Sequence, residues 1–286
     1  VADEGSPIRP GIQAANPNAR RDPHFTPKAK KVLMIFCSGA CSHLDTFDYK
    51  PELIKRNGQP MPGGSDLITF QGKQGNLTRS PWEFKPRGES GKMISTLVDH
   101  IGEHADDMAF IHSLTSKTNT HGPGENYMST GFTLDGFPSI GAWATYALGS
   151  EVDDLPAFVA ISDPRGTPQS SVNNWGAGFL PGRFQGVKFR GQGDPILDLY
   201  NPAGVTRAQR RRMLDALGEL NAKQASRYND PAIATRIAQY ELAFRMQMSV
   251  PELIDFKSEP KSTCLLYTSD AADEGLGVDL GGRRII

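Results

Sequence analysis

The run Val32-Leu33-Met34-Ile35-Phe36-Cys37 constrains this chain more than any other stretch. It has strand length and no polar alternation, the pattern of a strand buried on both faces in a parallel sheet covered by helices. It leads into Ser38-Gly39-Ala40, small residues that let the backbone turn sharply and lie close to a ligand. Ser42, His43, Asp45 and Asp48 follow. In open α/β sheets ligands sit beyond the carboxyl ends of the strands. The stretch therefore reads either as one lip of a site or as a hydrogen-bonded turn closing a strand.

Downstream, Tyr49 to Arg56 is expected to form a short helix with Pro51 in its first turn. Gln59 to Arg87 is punctuated by prolines and glycines and reads as a long irregular excursion. Met93 to Ala105 places Leu97, Val98, Ile101 and Ala105 on one helical face. His100 and His104, at i and i+4, lie off that face and read as solvated, although such a pair can bind zinc. Met108 to His112 is expected to be a second strand, followed by the loop Ser113 to Gly131. That loop carries Thr118, Asn119, Thr120, His121 and Glu125 around Gly122-Pro123-Gly124, and a βαβ order would bring them to the same sheet edge as His43 and Asp45. His121 has the chemistry of a metal ligand, a general base or a nucleophile, or of a loop imidazole bonded to backbone.

Ser139 is expected to cap a helix through Ile140, Trp143, Ala144 and Ala147, ending at Gly149, and Leu155 to Ile161 to form a third strand. Ser170 to Asp194 mixes Trp175, Phe179, Phe184 and Phe189 with Arg183, Lys188 and Arg190. It reads as an anion-holding aromatic wall or as an excursion packed on its own rings. From Thr206 the chain turns helical, and a second helix starts at Asp230-Pro231 and is expected to stop at Pro251, with Met246 and Met248 as core filler.

Bulk properties narrow the partners. The 286 residues carry a net charge of −1, which favours neither nucleic acid nor an anionic membrane. Arg210-Arg211-Arg212 reads as a solvated helix face rather than a nucleic-acid patch. No apolar run approaches the roughly 20 residues of a membrane helix. Three cysteines make no disulfide framework, and Cys37 and Cys41 are expected to be small buried residues. Residues 1–30, rich in Pro, Asn, Arg and Asp, read as an extended leader. Residues 264–286 have no periodicity. Their back-translation resembles a sequencing-library transposon end and adapter, so this tail is expected to be non-native and the natural chain to continue beyond Thr263.

The stretches SGACSHLDTFDYKPEL, THGPGENYMSTG, FPSIGAWATYALGSE, LPAFVAI, WGAGFLPGRFQGVKFR and DPAIATRIAQYELAFRMQMSVPEL resemble the bacterial domain-of-unknown-function family numbered 1501, from about Pro23 to Lys261. That family is similar to the sulfatases and alkaline phosphatases. The resemblance implies an α/β fold, the N-terminal part of an alkaline-phosphatase-like sandwich with a mostly parallel sheet between helices, spanning residues 31–263. It implies export to a periplasmic or extracellular location, often behind a twin-arginine signal. It further implies hydrolysis of sulfate or phosphate esters with a divalent metal ion (zinc, calcium or magnesium), acting on a small anionic ester or sulfated glycan. In sulfatases the nucleophile lies in a Cys-x-Pro-Ser-Arg loop running on to Thr-Gly. Here His121-Gly-Pro-Gly-Glu runs on to Thr130-Gly131, so His121 stands in the nucleophile's place and Thr120 is the nearest hydroxyl. Cys37 and Ser38 stand where an Asp usually follows the first strand, and Asp45 is the nearest acid. The implied roles are metal ligation by His43, Asp45 and His121, catalysis by His121 and Thr120, and substrate binding by Ser38, Ser42, Asn119 and Glu125. The alternative is a non-catalytic relative that binds a glycan or protein partner at the cell surface.

Overall fold

The computed structural model describes residues 10–12, 18–38, 41–63, 75–163, 166–191, 195–196, 199–228 and 231–253. It mixes helix and strand, and the chain divides into two compact units: residues 31–124, and residues 125–286 together with 1–30.

In the 31–124 unit the apolar run is not a strand. Val32, Leu33 and Ile35 are 91%, 85% and 81% exposed. A strand buried on both faces needs neighbours to take its backbone hydrogen bonds and helices to cover it. Among the described residues no strand pairs with this run. Cys37 and Cys41 are accordingly exposed, not buried. Helix α1 (His43–Thr46) follows, with the buried Thr46 hydroxyl donating to the Ser42 carbonyl at 2.9 Å. Helix α2 (Pro51–Lys55) lies within the expected span of Tyr49 to Arg56 and starts two residues later, at its proline.

The unit's sheet is a hairpin absent from the sequence reading: β1 (Phe84–Arg87) and β2 (Lys92–Ser95) pair antiparallel, Phe84 opposite Ser95 and Arg87 opposite Lys92. Asp106 closes it, its carboxylate accepting the Glu89 and Ser90 amides at 2.7 and 3.0 Å. Those two amides hold Asp106 below the ordinary carboxylate range. The helix expected over 93–105 is therefore broken. Ile94 and Ser95 are fully buried in β2, and the Ser95 hydroxyl accepts the Leu97 amide to start a 3-10 turn. Helix α3 (Asp99–Gly102) and a 3-10 turn at Ala105–Asp107 complete the segment. His100 and His104 point to solvent, each within 4 Å of an acid three residues on. The segment 108–112 is not a strand either; Phe110 packs its ring on Phe47, 5.8 Å between centroids.

Helix α4 (His121–Thr130) replaces the second half of the expected loop, and from Glu125 it belongs to the other unit. Proline is tolerated in a first turn, where its missing N–H costs nothing. Helix α5 (Ile140–Leu148) matches expectation. Buried Ser139 accepts the Ala142 amide and donates to the Gly176 carbonyl at 3.0 Å, and Gly149 at φ +75° ends the helix. Strands β3 (Val159–Ser162) and β4 (Val187–Arg190) form a parallel pair, Val159 opposite Val187. Helices α6 (Arg207–Tyr228) and α7 (Pro231–Leu253) pack as a hairpin, and α7 carries Pro251 inside its last turn instead of stopping there. Leu199, Met246 and Val250 are buried at its foot beneath Val187 and Phe189, while Met248 is 61% exposed.

Part of the expected leader docks in this unit. Ala19 bridges Ser150 in parallel, and the Arg21 guanidinium donates to the carbonyls of Thr145, Tyr146 and Ala147 at 3.0, 2.7 and 3.3 Å. A cation at a helix C-terminus meets both orphaned carbonyls and the negative end of the dipole.

Two small sheets, one antiparallel and one parallel, stand among the described residues where a mostly parallel sheet was expected.

Candidate functional site

The 31–124 unit places charged groups on three of its segments close together. Asp48 follows α1, and its carboxylate lies 3.0 Å from Lys50 Nζ. On its other side Oδ1 is 3.8 Å from His112 Nδ1. His112 Nε2 in turn lies 2.5 Å from Nζ of Lys92, the first residue of β2. Lys92 also stands over the Phe110 ring, 4.7 Å from its centroid, and that ring stacks on His112 at 6.1 Å.

Asp48 is held below the ordinary carboxylate range. The Lys50 hydrogen bond is the main cause, burial opposes it, and the charges of Lys50, His112 and His43 add to it. The result is an imidazole between a carboxylate and an ammonium, with a second ammonium beyond. Such a set has the chemistry to attract an anion and to pass a proton.

The other residues singled out from sequence scatter. Asp45 accepts the Ser42 hydroxyl at 2.7 Å, so both are engaged at the start of α1. Ser38 is half-buried. Asn119, Thr120 and His121 are exposed at the start of α4; the Thr120 amide donates to Thr118 Oγ1 at 3.1 Å and its carbonyl accepts the Gly124 amide at 2.9 Å. Glu125 is 5% exposed and accepts the Ser170 amide at 2.8 Å, which makes it a brace within its own unit. Its burial had no sequence signal, because it depends on a backbone group 45 residues away.

Among the described residues no three His, Cys, Asp or Glu side chains converge to hold a metal. Lys92 and His112, the residues that sequence reasoning missed, are twenty positions apart and meet only through the hairpin. The one local hint was Asp48 beside Lys50.

Among the described residues no helix is long and apolar enough to cross a membrane. A family model, Protein of unknown function (DUF1501), matches residues 29–285 and so extends through the tail suspected to be non-native. No curated protein and no solved structure matches the chain.

Proposed function

Since this chain belongs to the DUF1501 family over residues 29–285, we propose that it is an exported, periplasmic or extracellular, hydrolase-like protein that takes sulfate or phosphate esters. The observation that carries the reading is the Lys50–Asp48–His112–Lys92 chain of contacts. The two ammonium groups offset the charge of an ester anion, His112 carries the proton, and Asp48 orients the ring. Thr120 and His121, in the same unit, keep the attacking and accepting roles that the family resemblance assigns them. The parallel pair β3–β4 supports the finer fold reading, an alkaline-phosphatase-like sandwich. Metal dependence belongs to this reading only through ligands beyond the described residues.

The test is release of 4-nitrophenol from its sulfate and phosphate esters by natively purified protein, with metal content measured alongside. Turnover is expected, and Lys92→Gln and His112→Gln should each lower kcat/KM by about a hundredfold. No release from folded protein supplied with zinc, calcium or magnesium refutes the hydrolase reading. The second reading, a non-catalytic protein binding a sulfated glycan, is favoured by the engagement of Asp45 and Glu125 within the fold. It predicts saturable glycan binding without turnover.

A further inference from the structure

In the unit of residues 125–286 and 1–30, a cavity of about 370 Å³ lies between β4 and the α6/α7 hairpin. Its floor is apolar, with Leu199, Leu214, Phe244 and Met246, and its charged wall is Arg183, Lys188 and Arg210; no carboxylate lines it. Among the described residues none of these three cations forms an ion pair. The neighbouring acid on α7, Glu241, is already taken by Arg211 through both of its oxygens, at 2.8 and 2.5 Å.

Arg183 is held in place by its neighbours. It sits in the 3-10 turn Gly182–Phe184, whose Phe184 is 1% exposed and packs edge-on against Tyr146. Gly182 lies so close to α7 that a Cβ there would stand 3.1 Å from Thr235 Cγ2. Arg183 Nε is fully buried and has no hydrogen-bond partner. A charged side chain with an orphaned buried donor is costly to hold without a counter-charge nearby.

We infer that this cavity binds an organic anion: a sulfate, sulfonate, phosphate or carboxylate headgroup against Arg183, Lys188 and Arg210, with an aromatic or branched apolar body on the Leu214–Met246 floor. The volume suits a body the size of a two-ring aromatic. The excess of cations selects against neutral ligands of the same shape, and the apolar floor selects against bare inorganic anions. The inference stands independently of the ester site, since it involves other residues in the other unit.

The probe is naphthalene-2-sulfonate, whose carbon–sulfur bond gives a hydrolase nothing to cleave, followed by calorimetry on the full chain. One-to-one saturable binding is expected, and Arg183→Gln should weaken it by about tenfold or more. Neutral 2-naphthol and inorganic sulfate should each bind far more weakly. Lys188→Gln, at an exposed position, keeps the test usable if Arg183→Gln fails to fold, and should weaken binding by about threefold. No saturation by folded protein up to about 10 mM, equal affinity of a folded Arg183 variant, or equal affinity for 2-naphthol each overturns the inference.

Discussion

Arg21→Ala tests whether the 18–21 segment is part of the fold. The guanidinium donates to three successive carbonyls at the end of α5, and the Arg21 amide donates to a fourth, that of Leu148, at 2.8 Å. A cation at a helix C-terminus contributes roughly 0.3–2 kcal/mol, and hydrogen bonds to a charged group roughly 1.5–3 kcal/mol when solvent is excluded. Here the site is only part-buried and the released carbonyls regain water, so a loss of about 2 kcal/mol is expected. Removing the side chain should also loosen the Ser150 amide from the Asn18 carbonyl, 2.8 Å away, because both contacts anchor the same short strap. The assay is urea unfolding followed by tryptophan fluorescence in a Trp82→Phe background. The remaining Trp143 and Trp175 then both report on the unit that holds Arg21. With a slope of about 2 kcal/mol/M, the midpoint should fall by about 1 M. Arg21→Lys should recover less than half of that, since a point-like ammonium cannot span three carbonyls. A midpoint for Arg21→Ala within about 0.2 M of the parent would show that the strap merely lies on the surface.

Two further outcomes follow from single contacts. Arg211 keeps Glu241 below the ordinary carboxylate range, so the pair's contribution is present above the unfolded value and disappears as pH falls through the folded one. Both side chains are about a third exposed, so Glu241→Gln should cost only about 0.5–1 kcal/mol near neutrality and progressively less as the solution is acidified below the unfolded value; an equal cost at neutral and acid pH, measured by urea unfolding, removes the ion pair from the account. Gly178 sits at φ +54° with a built Cβ 2.3 Å from the Phe137 carbonyl carbon, so Gly178→Ala should cost at least about 2 kcal/mol in thermal unfolding. An unchanged Tm would mean that the turn between α4 and α5 has room the geometry denies it.

The parts legible in the sequence are those whose reasons are local. Ser139 and Gly149 bracket α5 with a hydroxyl cap and a positive φ, both readable within a dozen residues. The long helices α6 and α7 carry their hydrogen bonds internally, so pattern suffices to find them, although Pro251 shows that a helix can run past a proline in its final turn. The 32–37 run fails for the opposite reason. Its apolar content predicts burial, but a strand's backbone is satisfied only by another segment, and no such segment accompanies it among the described residues. The β1–β2 hairpin was hidden because Pro86 lies inside a strand, where a proline argues against strand; β1 belongs to a two-stranded ribbon, in which each strand is an edge and a missing N–H can face away.

The same distinction bears on the site. A reading built on strand ends expects His43, Asp45 and His121 to meet at one sheet edge, yet the cluster that forms is organised by the hairpin. Lys92 is fixed by its pairing with Arg87, and Asp106 ties the connecting turn through two amides. The other half, Asp48 and Lys50, lies between α1 and α2, and the Phe47–Phe110 contact joins that segment to the one bearing His112. Placement of the imidazole therefore depends on an aromatic contact and a two-stranded ribbon, both of which can be perturbed without touching a charged group. If the cluster handles an ester anion, weakening the Phe47–Phe110 contact should impair that handling although no charge is changed. Such sensitivity is what distinguishes an arranged set of side chains from charges that merely share a surface.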